Sequence, residues 1–205
     1  MNYMYESQQM REKTFEFIYG CAMRDAILQK AYKGEKAWIS QVYKPKQILS
    51  EYICKILSNE FSSQKEHDEF FLETANKICF EINKRESKTD VFSFGNAQKL
   101  INITAKHIYT FCYHNPSLRE GFRFCHCPVD AIMLKKVWNL CKEKIDLGKR
   151  TEFCKSWGCE GVFERTQPEL KDFPNRYNLF QKAIRDLIEE GDLFPIEFDY
   201  IVWKS

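Results

Sequence analysis

Apolar residues recur along this chain at intervals of three and four rather than two, the pattern of helices lying against a core. Over 12–32 the residues Phe15, Ile18, Tyr19, Ala22, Ala26 and Ile27 share one face, and Gly34 is a stop signal. A second helix begins near Pro45, a good first-turn residue, and puts Ile48, Tyr52, Ile56 and Leu57 together. A third covers 65–84 with Phe70, Phe71, Ala75, Ile78, Cys79 and Ile82. The polar stretch 85–90 reads as a loop and 91–95 as a short apolar turn. A long helix follows over 96–112, then a connector at 114–120 containing Pro116. The segment 122–129 is irregular and apolar, and a helix opens at Asp130 and runs to about 144. The pattern of 151–173 is mixed. An amphipathic helix over 175–190 is closed by Gly191, and the aromatic-rich 193–203 is expected to dock back on the body. With no internal repeat, low-complexity tract or linker, 1–205 reads as one all-α domain.

Composition agrees with helices. Eight Gly and six Pro in 205 residues are few for a fold built on many tight turns. A charged content of 29% suits a folded chain rather than a disordered one. The net charge of +2 permits a nucleic-acid partner without announcing one, because phosphate binding depends on how cations cluster. The nine cysteines sit in apolar surroundings, where a thiol packs as a small hydrophobe. Positions 1–11 are polar, and no apolar run approaches the roughly 20 residues that span a bilayer. A cytoplasmic monomer without membrane contact is therefore expected. Cys125-His126-Cys127 and Cys154-x4-Cys159 lack the usual C-x2-C spacing of a zinc site, so neither metal nor other cofactor is expected.

Two stretches carry candidate chemistry. In the helix after Gly95, Leu100, Ile101, Thr104, Ala105 and Ile108 form a buried face, while Lys99, Asn102 and Lys106 lie on a separate stripe. The plain reading of that stripe is a solvated face. Further on, Pro128-Val129-Asp130 leads into an apolar helix, and an aspartate there gains from the free amides of the first turn.

Taken in order, a glycine turn, a helix carrying a lysine near its start, and a Pro-Val-Asp opening another helix resemble the helix-hairpin-helix DNA glycosylases. The likeness is greatest to the 8-oxoguanine glycosylases of archaeal type and to bacterial proteins similar to them, and it is densest over 92–138. The resemblance implies a compact multi-helix fold with its active site in a cleft between helical layers, and double-stranded DNA as partner. It implies Lys99 as nucleophile and Asp130 as the assisting carboxylate, with Lys106 similar to a second lysine of the archaeal helix and an alternative nucleophile. The usual hairpin has two closely spaced glycines, whereas Gly95 stands alone here.

Such an enzyme takes a base out of the duplex into a pocket. It needs an aromatic face and an amide or carboxylate to read that base. By layout, Tyr177 and Gln181 on the last long helix are the candidates, with Asp172 and Trp157 as further candidates. Gly95, Asn96, Lys106 and His126 are candidate contacts to the DNA backbone, which set register but not base identity. The expected activity is excision of 8-oxoguanine, or of a modified base in phage DNA, with strand cleavage as a possible second step. The alternative is a helical nucleic-acid-binding or protein-interaction module without chemistry.

Overall fold

The computed structural model describes residues 2–28, 43–84, 92–143, 172–188 and 193–203. Every regular element among them is a helix: α1 (Asn2–Leu28), α2 (Tyr43–Leu57), α3 (Gln64–Asn83), α4 (Phe94–Cys112), α5 (Pro116–Glu120), α6 (Ala131–Cys141), α7 (Asp172–Ile188) and α8 (Pro195–Trp203). None is long and apolar enough to cross a membrane. The helix α1 begins ten residues before the apolar periodicity does, since its first turns are polar. The expected docking of the C-terminal stretch takes the form of α8, whose Ile196, Phe198 and Val202 are buried.

Local chemistry sets the helix starts. Ser63 caps α3 by accepting from Glu66 N, and the Glu66 carboxylate returns to Ser62 N at 2.9 Å. Ser93 and Asn96 form a reciprocal capping box on α4, which therefore starts two residues before the position the apolar pattern marks. Pro116 occupies the first turn of α5, where its missing N–H costs nothing. Asp130 caps α6, accepting from Ile132 N at 2.9 Å and Met133 N at 2.8 Å.

The helix α4 is central. It packs against α1 on one side and α3 on another, and α5 follows it back over its end. The pair α6 and α7 pack together, with α8 against both. One apolar cluster runs from Tyr19 in α1 to Val202 in α8. At its centre the Phe71 and Tyr177 rings stack at 5.4 Å, and the edge of Phe94 meets Tyr177 at 5.3 Å, joining α3, α4 and α7. Each such ring contributes about 1.5–3 kcal/mol by leaving water.

Irregular backbone is held by side-chain amides acting as single rungs of a ladder. Asn83 donates to Phe92 O and accepts from Phe92 N. Gln181 grips Cys127 in the same two-way manner, at 2.8 and 3.0 Å. Gln98 grips Val129, at 2.9 and 3.2 Å. The last two fix the extended 125–130 segment against α7 and α4, satisfying backbone groups that would otherwise be buried and unpaired.

Candidate active site

The Gln98–Val129 clamp joins the residue before Lys99 to the residue before Asp130. Gln98 is saturated: its Nε2 also donates to Gly95 O, and its Oε1 accepts a second bond from Asn102. The start of α6 is thereby held beside the first turns of α4. Lys99 is half-buried there, and its amine is held below the ordinary lysine range chiefly by burial. The carboxylates of Asp130 and Asp25 act on it in the opposite sense. Asp130 thus has two tasks: its side chain caps α6 while its charge reaches Lys99.

Two turns on, Lys106 makes an ion pair with the buried Asp199 of α8 and lies 4.4 Å over the Tyr200 ring. Its amine is thus engaged by a carboxylate and a ring within the fold. His107 is held below its usual value by burial and by Lys106, with Asp25 opposing. The buried Cys127 thiol is pushed up by burial and feels the charges of Asp199, Lys106 and Asp130. The stripe Lys99, Asn102, Lys106 is consequently not a solvated face. Asn102 is buried and donates to Tyr177 Oη at 2.9 Å.

Several expected contacts take other roles. Tyr177 and Gln181 are both 0% exposed. The tyrosine hydroxyl joins Asn102 and His126, and both ends of the Gln181 amide hold Cys127, so as folded neither is open to a base. Asn96 is buried in the α4 cap, where its Nδ2 also donates to Ala26 O at 2.8 Å and ties α1 to α4. Gly95 is buried within the first turn of α4 rather than exposed in a hairpin ahead of it. His126 is buried between Asp68 and Tyr177, out of reach of a phosphate. Lys106 has Asp199 as its counter-charge in place of DNA. Trp157 lies outside the described residues, and Asp172 begins α7 with its side chain outside them.

Sequence reasoning missed three groups. Asp25 comes to Lys99 from α1, and no motif links them. Gln98 sits beside the lysine but reads as one more polar position. The third is a buried cluster of His67, Asp68 and His126, joined across about sixty positions of sequence. A separate, largely apolar groove of about 380 Å³ opens at the other end of α4, between Tyr109, Tyr113, Tyr200 and Ile201. It contains none of the Lys99 or Asp130 groups.

Comparisons with known protein families, with curated proteins and with solved structures give no match.

Proposed function

We propose that this protein is a DNA glycosylase of the helix-hairpin-helix kind in which Lys99 attacks the sugar and Asp130 assists. The observation that carries the reading is the half-buried Lys99 amine, lowered by its surroundings and under the charge of the Asp130 carboxylate. A lysine needs a free amine to act as a nucleophile, and at its ordinary pKa of about 10.4 little is present near neutrality. Burial raises that fraction.

The chemistry follows from those two groups. As the N-glycosidic bond breaks, its electron pair leaves with the base, which takes up a proton, and positive charge develops on the sugar. The Asp130 carboxylate stabilises that charge. The Lys99 Nζ lone pair forms the new bond to C1′, and ring opening gives an iminium linking enzyme and DNA. That iminium also permits β-elimination of the 3′ phosphate, the route to strand cleavage. Lys106 acts as a fixed cation in this scheme, its charge set against Asp199.

The test is base release and covalent capture. Duplexes carrying 8-oxoguanine, and phage DNA bearing modified bases, are incubated with protein and borohydride, which reduces the iminium to a stable amine. Capture by the wild type and its loss in Lys99→Gln support the reading. Capture that survives Lys99→Gln and disappears in Lys106→Gln moves the nucleophile. Absence of both base release and capture on all these substrates favours the binding-module alternative.

A further inference from the structure

Away from Lys99, two imidazoles converge on one carboxylate. His67 Nδ1 is 3.4 Å and His126 Nε2 2.7 Å from the same atom, Asp68 Oδ1. The three candidate donor atoms lie within 4.8 Å of one another. The outward nitrogen of each ring is held by a tyrosine hydroxyl: His67 Nε2 by Tyr52 at 2.8 Å, and His126 Nδ1 by Tyr177 at 2.9 Å. Metal-binding histidines carry a second hydrogen-bonded partner of this kind, which fixes ring orientation and tautomer. Both rings are buried, and Asp68, about one-fifth exposed, is the side facing water.

From this geometry we infer that His67, Asp68 and His126 form a binding site for a first-row divalent transition ion, with zinc the fitting representative. Imidazole nitrogen and carboxylate oxygen are its usual donors at about 2.0–2.2 Å. Tetrahedral bonds of that length separate donors by about 3.4 Å. The His67–Asp68 distance already matches, the His126–Asp68 pair opens slightly, and the two rings draw together. Each imidazole moves its proton to the outward nitrogen, which then donates to its tyrosine while the inner lone pair takes the metal.

Protonation and charge are consistent with the site. Burial pushes His126 down to about 4 and lowers His67, so both rings are neutral near pH 7. Burial pushes the Asp68 carboxyl up, but hydrogen bonds from His126, His67 and Gln64 outweigh it and hold Asp68 ionised. Arg185 Nη2 is 3.9 Å from the other oxygen, Asp68 Oδ2, so the carboxylate divides between the imidazoles and the guanidinium. Arg185 Nη1 is buried without a hydrogen-bond partner among the described residues. A water or hydroxide completes the shell as fourth ligand. Three protein ligands plus one exchangeable oxygen is the arrangement of an open zinc site. Here its firm effect is to brace 125–130 against α3 and α7.

The experiment strips the 205-residue chain with a chelator and titrates it with Zn²⁺ by calorimetry and Co²⁺ by visible absorption. X-ray absorption on the zinc-loaded wild type then identifies the donors. The expected result is saturable 1:1 binding, a raised melting temperature, and a shell of two imidazoles and oxygen without sulfur. Tyr177→Phe, which keeps the ring and removes the hydroxyl that partners His126 and accepts from Asn102, is expected to weaken affinity about 10- to 100-fold at unchanged stoichiometry. His126→Gln is expected to abolish 1:1 binding. The inference is overturned by absence of saturable binding, by a shell dominated by sulfur, or by unchanged affinity in His126→Gln. The wild-type absorption result stands even if a variant does not fold.

Discussion

At the scale of single residues, the proposed chemistry turns on one amine in an unfavourable setting. Lys99 has a folded-state pKa below its unfolded value because burial penalises the cation. Between those two values the unfolded chain binds more protons, so stability rises with pH across that window. Below the folded value the penalty is fully present. Lys99→Met is expected to flatten this rise, measured as urea midpoint against pH from 7 to 11. Capture by borohydride should increase with pH in the same direction, with a midpoint below that of an ordinary lysine. Asp25 and Asp130 both favour the ammonium form, so Asp25→Asn is expected to move the capture midpoint to lower pH while leaving capture intact. An unmoved midpoint means that Asp25 does not act on the amine.

At the scale of elements, Asp130 joins a structural task to the proposed chemical one, and two substitutions separate them. Asn still accepts from Ile132 and Met133, so Asp130→Asn is expected to keep stability within about 0.5 kcal/mol, as capping asparagine is as good as aspartate. Base release should nonetheless fall by at least 10-fold for want of the charge. Asp130→Ala loses the cap as well and should cost about 1 kcal/mol in denaturant unfolding. Gln98→Leu leaves both the N–H and the carbonyl of Val129 without their partner in a buried setting. About 3 kcal/mol of stability is expected to go with it. The long helices were legible because α3, α4 and α7 each bury one periodic face. The helix α8 was harder to read, since Ile196, Phe198 and Val202 are buried while Tyr200 and Ile201 on its other side are also large and apolar. Lys99 and Asp130 stand out in sequence by type and order, and the structure adds that Asp130 caps α6 and that its charge reaches Lys99. The Gln98 and Gln181 clamps were not, because an amide that holds irregular backbone leaves no period in the sequence.

At the scale of the molecule, distant segments are joined through contacts that leave little room. A Cβ built on Gly121 comes 2.0 Å from the backbone oxygen of Ile56, so α2 and the end of α5 meet backbone to backbone there. Gly121→Ala is expected to cost about 3 kcal/mol, the upper range for overpacking, seen as a lowered melting temperature. The His67–Asp68–His126 cluster and the Lys106–Asp199 pair are of the same long-range kind. Each joins residues separated by 58 to 93 positions, and only the assembled fold brings them together. That assembly also turns a stripe that looks solvated in sequence into a half-buried one, and the proposed chemistry depends on that change. The most direct measurement is peptide mapping by mass spectrometry of the borohydride-captured protein–DNA adduct. The reduced sugar remnant is expected on Lys99 alone; an adduct on Lys106 or any other lysine, with Lys99 unmodified, contradicts the proposed chemistry.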